Sequence, residues 1–509
     1  MLQRTLARHA LLSAAALTLF GTLSTAATAQ ETNPMVAVDF AHDTGVALNE
    51  GDVEEVVISF PVVVPGVDSM QIHFSEVQLA GSIAADTDSY LRITSLKDGY
   101  YQTMNARHVE QWQNQSAYFN GNEVLVEVLA LPGTGPNRVV IDSLLVGMST
   151  GIQESQCGPT DDRVPSSDPR VSRLMPVACT SWMINDCGKC FLSAGHCGGG
   201  GGSSVQFNVP WSTAGGSLQF PPPSDQYAVD GASHQFENSN DDWQYFGVFP
   251  NSTTGLTPFQ TMGAAFALAP PPSPSGNNIR ITGHGTDSTP DSTYNQIQQT
   301  HVGPLVSVGT NVNYQTDTTG GSSGSPVIWE EQDVAVGVHT NGGCSSGSNN
   351  GTPITATKLQ QALNNPLGVC KLGDGFVDLG QEKKEPPFNR FPVLTACGDL
   401  SAGSNVDIDL KVAIAPSSVG LNMSAILFIG LSELSAPFQG GVMVPNPDFS
   451  ITFPIDTSVS QSVFVNVDAT WPAGIPSGSQ FYIQYWIPFD DGGTVSGSLA
   501  SNAMELTAP

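Results

Sequence analysis

The chain has 509 residues and sets 17 Lys and Arg against 46 Asp and Glu, a formal net charge of −29. A surface this acidic repels phosphate backbones and anionic lipids, which argues against a nucleic-acid partner and leaves solubility as the plain reading of the charge. The length is enough for about three domains.

Residues 1–29 have the layout of a secretory signal. Arg4 and Arg8 form a basic start, Leu11 to Leu23 is a short apolar run, and Ala27-Thr28-Ala29 is a small-x-small cleavage pattern. The run is too short to span a bilayer, and no later segment is long and apolar enough to do so. The expectation is an exported protein, extracellular or periplasmic. Eight cysteines, an even count, suit disulfide bonding in such a compartment.

Residues 30–150 predict a β-sandwich-like module. "VEEVVISFPVVV", "EVLVEVLAL" and "RVVIDSLLVG" are rich in Val, Ile and Leu and are bounded by turn signals. Asn120-Gly121 between two such runs is a hairpin cue. His73 and His108 are isolated and carry no catalytic pattern.

Residues 151–372 change character. Seven of the eight cysteines fall here, with Gly198 to Gly202 and the proline triplets at Pro221 and Pro270 as loop signals. Short strand-like runs separate them, among them "SWMI", "SVQFNV", "NIRITG", "SPVIW" and "VAVGVH". Only "ATKLQQALNNP" reads as a helix, with Leu359 and Leu363 four apart and Pro366 as a stop. Many short strands and one terminal helix predict a β-barrel rather than a parallel α/β fold. Residues 373–395 read as a polar, Pro-bearing linker. Residues 396–509 return to an all-β, sandwich-like pattern. Val463, Val465 and Val467 alternate with Phe464, Asn466 and Asp468, and "FYIQYWI" is an aromatic strand better suited to a core than to surface attachment.

Three fragments of the middle region carry chemistry: "FLSAGHC" with His196, "NDDWQYFGV" with Asp242, and "TTGGSSGSPV" with Ser323. A hydroxyl is a poor nucleophile at neutral pH and needs a base within hydrogen-bond reach. That base in turn needs a carboxylate to hold its tautomer and stabilise the imidazolium. The glycines suit a tight turn whose N–H groups point at a developing oxyanion. Ser323, in Gly-x-Ser-Gly-x-Pro, is the serine placed for attack, with the N–H groups of Gly321 and Ser323 as the oxyanion hole. Each fragment alone is weak; together, in an exported β-rich segment, they point to nucleophilic catalysis.

The segment from about Cys157 to Cys370 resembles bacterial trypsin-like serine proteases, above all the glutamyl endopeptidase branch. The motifs that carry the resemblance are "CTSWMI…CFLSAGHC", "DDWQYFGV", "DTTGGSSGSPV" and "VGVHTNGG". It implies a chymotrypsin-like double β-barrel and maps the general base onto His196, the orienting acid onto Asp242 (with Asp241 as fallback) and the nucleophile onto Ser323. It also maps His339 and Thr318 onto a primary pocket that accepts Glu or Asp. Asp317 complicates this, because trypsin-like enzymes carry the acid that binds Lys or Arg six residues before the nucleophile. If Asp317 points into the pocket, basic residues enter; if it turns away to bond the loop, acidic ones do.

The resemblance pairs Cys179 with Cys197 and, as in lysyl endopeptidases, Cys157 with Cys344. Cys187 and Cys190 suit a small local loop, which leaves Cys370 with Cys397 by exclusion. In staphylococcal-type glutamyl enzymes a freed amino terminus helps bind the acidic side chain. Here either the N-terminal module is removed, with Arg163, Arg170 and Arg173 as weak processing signals, or that contact is absent. The expectation is a secreted serine endopeptidase with polypeptide substrates, no cofactor and no metal. Oligomeric state stays open. An inactive protease-like adhesion protein and an esterase with the same triad are the rival readings; the Gly-x-Ser-x-Gly elbow of α/β-hydrolases is absent in proper context.

Overall fold

The computed structural model describes residues 35–83, 87–147, 154–239, 241–287, 292–344, 347–371, 376–385, 388, 392–398, 400–413, 419–458, 462–490, 492 and 496–509. The signal segment and the linker prolines Pro386 and Pro387 lie outside them. The architecture is mainly β, with a chymotrypsin-like double β-barrel at its centre.

The first barrel is a seven-stranded antiparallel sheet. Its strands run in the order Gln226–Ala228, Ser204–Gln206, Val171–Met175, Cys179–Met183, Phe191–Ser193, Trp243–Phe246 and Gln235–Glu237. A bridge between Val229 and Val248, just beyond two of these strands, draws the sheet round on itself. The strands are short and buried along their length, which is why they read as apolar runs without alternation. The second barrel runs Val164–Pro165, Gln299–Val308, Asn278–Gly283, Pro326–Trp329, Val334–Asn341, Asn349–Pro353 and Val312–Tyr314. Val312–Tyr314 also pairs back onto Gln299–Val308, which closes it. The residues between the barrels join them: Phe266 bridges Ile184 and Leu268 bridges Ala335, both in parallel. Ile328, Ala335, Val338 and Ile354 of the second barrel enter the core built around Trp182, Phe191 and Phe246 of the first. The expected helix is present over Thr357–Leu363 and buries Leu359.

Before the barrels, two four-stranded sheets pack around Ile72, Phe74, Leu91, Ile93, Val126 and Ile141. The hairpin expected at Asn120-Gly121 does not form. Phe119–Asn120 pairs with Ser69–Gln78, whereas Glu123–Ala130 crosses to the other sheet and pairs with Glu55–Val63 and Tyr90–Ser95. Tertiary pairing overrides the turn signal because the Asn120 side chain is used elsewhere. Its amide donates to Phe220 O at 2.9 Å and accepts from Phe220 N–H at 2.8 Å.

After the barrels lie a five-stranded and a three-stranded sheet around Leu394, Leu410, Leu427, Tyr485 and Leu499. Phe376–Gly380, read as linker, is a strand that pairs with Ser496–Thr507. Its polar flanks hid it. The aromatic strand is buried, with Tyr485 and Trp486 inside. No helix among the described residues is long and apolar enough to cross a membrane.

Candidate active site

His196 and Asp242 come together through strand register. Phe191–Ser193 pairs antiparallel with Trp243–Phe246, Ser193 facing Gln244, so the residues just beyond each strand meet. His196 sits in a single 3-10 turn, Gly195–Cys197, and the Cys179–Cys197 disulfide ties that turn to the neighbouring strand. Asp242 then uses both oxygens on His196. Oδ1 accepts the backbone N–H at 2.9 Å and Oδ2 contacts Nδ1 at 2.6 Å. This leaves Nε2 as the working nitrogen and fixes the ring against rotation. Asp241 makes no such contact. Thr352 Oγ1 donates to Asp242 O at 3.1 Å, anchoring the acid from the second barrel.

Ser323 belongs to the turn between Thr318–Thr319 and Pro326–Trp329. Gly321 and Gly324 take φ of +94° and +89°, left-handed values that side chains resist. A Cβ on Gly321 would also strike His284 O, and one on Gly324 would strike Thr180 O. The turn is pinned to the first barrel. Thr180 N–H donates to Ser323 O at 2.9 Å, Thr180 Oγ1 to Gly321 O at 2.8 Å, and Trp182 Nε1 to Gly324 O at 3.0 Å. From the other side Gly324 N–H donates to His339 O at 2.7 Å. Ser322 Oγ is taken by Thr319 N–H at 3.2 Å, and Ser325 is fully buried against Gly283. "TTGGSSGSPV" is therefore a rigid turn, not a slack linker.

His196 Nε2 and Ser323 Oγ are both buried, and neither has a hydrogen-bond partner among the described residues. No hydrogen bond joins them to each other. The His196 turn reaches the Ser323 turn through its next residue: Cys197 Sγ lies 3.7 Å from Ser323 O. Among the described residues neither the Gly321 nor the Ser323 N–H is spent on a hydrogen bond, so both are available as donors.

Asp317 is turned to bond the loop. It is 1% exposed, and both oxygens accept backbone N–H groups: Cys157 to Oδ1 at 2.6 Å and Asp162 to Oδ2 at 2.8 Å. His339 is fully buried, and its Nδ1 meets Tyr314 Oη at 2.6 Å. Burial, helped by the nearby His196, pushes the His339 imidazole down to about 3, so the ring is neutral. Burial also holds the Tyr314 phenol well above its ordinary value. Tyr314 therefore donates to Nδ1, and Nε2 carries the His339 proton. Among the described residues that buried Nε2 makes no hydrogen bond, and the nearby Asn350 backbone opposes the fall in the ring's pKa. Thr318 is fully buried too, and its Oγ1 accepts from Asn349 Nδ2 at 2.9 Å.

Sequence reasoning missed Thr180, Trp182, Tyr314 and Asn349. Each acts through hydrogen bonds to residues distant in sequence, and nothing local marks it.

The disulfides differ from expectation in one place. Cys179–Cys197 and Cys157–Cys344 are present, but Cys190 bonds Cys370, not Cys187. Cys187 is itself disulfide-bonded. The local loop fails because Cys190 ends the bend facing the core, where Val369 and Cys370 arrive after the terminal helix. The exclusion that left Cys370 for Cys397 falls with it, and the Cys397 side chain lies outside the described residues. Cys179 and Cys197, which flank His196, are bonded to each other and offer no thiolate to a metal.

Comparison with known proteins finds no matching family profile and no matching curated sequence. Among solved structures, the chain is similar to a Glu endopeptidase in complex with MPD, at 19% identity over 41% of this chain and 97% of that one, with a TM-score of 0.32. It is similar to the thermostable serine protease AL20 from an extremophilic microorganism, at 15% identity over 39% of this chain and 97% of that one, TM-score 0.30. It is also similar to the VesB protease of Vibrio cholerae, at 12% identity over 69% of this chain and all of that one, TM-score 0.29.

Proposed function

We propose that the chain is a secreted serine endopeptidase that cleaves after acidic residues. The observation that carries the reading is the double contact of Asp242 on His196, which frees Nε2 beside the Ser323 turn. In this reading Nε2 takes the Ser323 proton as Oγ attacks the scissile carbonyl, and Asp242 stabilises the imidazolium. The N–H groups of Gly321 and Ser323 receive the oxyanion. His196 then passes its proton to the leaving amine, and water repeats the sequence on the acyl-enzyme.

The acidic preference rests on Asp317 and His339. Asp317 gives each oxygen to a backbone N–H, of Cys157 and of Asp162, which commits the carboxylate to the loop. His339 offers a neutral Nε2–H, and a carboxylate accepts from such a donor readily. Thr318 completes that wall. The domain layout proposed with it is a sandwich module over residues 30–150, the protease over 151–372 and a second sandwich module to residue 509.

The test is a panel of fluorogenic peptides with Glu, Asp, Lys, Arg or Phe before the cleaved bond. Glu or Asp is expected to be cleaved fastest, with cleavage lost in Ser323→Ala. Fastest cleavage after Lys or Arg would refute the acidic pocket.

A further inference from the structure

Arg163, Arg170 and Arg173 read in the sequence as places where the chain could be cut to release the protease. The structure gives all three other work. Arg173 is fully buried and donates to Gln206 Oε1 at 2.8 and 3.0 Å and to Gln219 O at 2.9 Å. Arg170 is clamped between Asp168 and Asp333, each at 2.7 Å, with its guanidinium 3.8 Å from the Phe266 ring centre. A protease cannot take an arginine held this way without unfolding the segment around it.

Arg163 does more. Its side chain is 4% exposed and paired with Asp161. Nη1 donates to Thr319 Oγ1 at 2.8 Å and Nη2 to Thr286 O at 2.9 Å. Thr319 closes the front of the nucleophile turn: its N–H donates to Ser322 Oγ at 3.2 Å and its O accepts from Ser322 N–H at 2.9 Å. The guanidinium is thus one residue removed from the turn that presents Ser323.

The rest of the same segment acts on the same loop. Glu154–Ser155 pairs as a strand with Thr318–Thr319. Cys157 and Asp162 supply the N–H groups that fill Asp317, and the Cys157–Cys344 disulfide fastens the segment to the far side of the pocket wall. Every residue from Asp317 to Thr319 is therefore held, among the described residues, by contacts from this segment.

The sandwich upstream is bound to the barrel rather than parked on it. Tyr118 N–H donates to Gln226 Oε1 at 3.0 Å and Gln226 Nε2 returns to Tyr118 O at 2.9 Å. Asn120 exchanges two bonds with Phe220, and the Tyr118 and Phe220 rings stack at 4.9 Å. Thr103 N–H donates to Thr253 Oγ1 at 3.0 Å. Ala228 of the barrel sits in the sandwich core. Stripping the sandwich away would break these bonds and expose Phe220 and Ala228 to water, which is costly.

We propose that the strap from Glu154 to Arg163 is an uncleaved positioning element for the nucleophile turn, with Arg163 as its key positioning residue, and that the enzyme works with its N-terminal sandwich still covalently attached. The inference rests on the serine hydrolase reading above.

The test labels the secreted full chain with a fluorophosphonate and reads the intact mass of each labelled species. The expected result is an adduct on a chain that still includes the sandwich. An adduct found only on species beginning after residue 150, with the longer chain unlabelled, overturns the inference and leaves the hydrolase reading standing. No adduct on any species sinks the hydrolase reading, and this inference with it. A second arm compares Arg163→Gln and Arg163→Lys, each normalised to folded protein. A loss of about tenfold in kcat at little-changed KM, partly recovered by lysine, is expected for a group that positions the oxyanion turn. An unchanged kcat in Arg163→Gln would overturn the role of Arg163.

Discussion

Two aspartates in the barrels stand beside a histidine, and the two contacts are built for different ends. Asp242 turns a carboxylate oxygen on His196 Nδ1 at 2.6 Å, so the ring is oriented by a charge that an imidazolium can use. At Asp317 the histidine is His301, whose Nδ1 accepts the N–H of Asp317 itself at 2.7 Å. A nitrogen that accepts carries no proton there, so its 3.4 Å approach to Asp317 Oδ2 is not a salt bridge. Both Asp317 oxygens are instead given to backbone N–H groups of the strap. The residue types are the same; what decides the role is which donors fill the carboxylate. In the proposed mechanism one aspartate serves proton transfer, and the other is a strut for the loop before Ser323.

The largest effect expected is at the nucleophile both aspartates support. Ser323→Ala should lower kcat by about 10⁶-fold while leaving the fold intact, measured by peptide hydrolysis and circular dichroism on one preparation. The two aspartates then separate. Asp242→Asn should lower kcat by about 10⁴-fold through the wrong tautomer, with little change in unfolding midpoint. Asp317→Asn should do the reverse, lowering the unfolding midpoint more than the turnover of the folded fraction. Equal kinetic losses in the two variants would erase the distinction drawn here.

A smaller effect is expected at the pocket wall. His339→Leu removes the Nε2–H donor and should reduce kcat/KM for a Glu substrate by about 10- to 100-fold, with a Phe substrate changed far less. The smallest is a pH effect on stability. His339 and His284 are both pushed down to about 3, chiefly by burial, from an ordinary 6.5. The folded chain then binds fewer protons than the unfolded chain below about pH 6.5, so stability is full above that value and is lost as pH falls towards 3. Thermal melts across that window should show a falling midpoint, with a shallower slope in His339→Leu. A flat profile would contradict the burial assigned to these rings.

The candidate trio is legible because each member sits in a local pattern: His196 after an apolar run, Asp242 before Trp243, Ser323 among glycines. The role of Asp317 was left as a fork, because the direction a side chain takes depends on Cys157 and Asp162, about 160 residues upstream. Distance hides Arg163 too: besides its neighbour Asp161, its partners are Thr319 and Thr286, 156 and 123 residues downstream. Tyr314 was invisible for a similar reason: it lies on a strand whose alternation says "inside" but not "against His339". Phe376–Gly380 was taken for linker because polar and proline-bearing flanks outweigh five residues of strand. The Cys190–Cys370 bond could not be read from spacing, since a near pair in sequence competes with a partner brought by the terminal helix.

The most direct test is to map the site of fluorophosphonate attachment by peptide mass spectrometry. The expected adduct lies on Ser323, absent in Ser323→Ala and strongly slowed in Asp242→Asn but not in Asp317→Asn. An adduct on another serine, or labelling that survives in Ser323→Ala, would contradict the reading of His196, Asp242 and Ser323 as one catalytic unit.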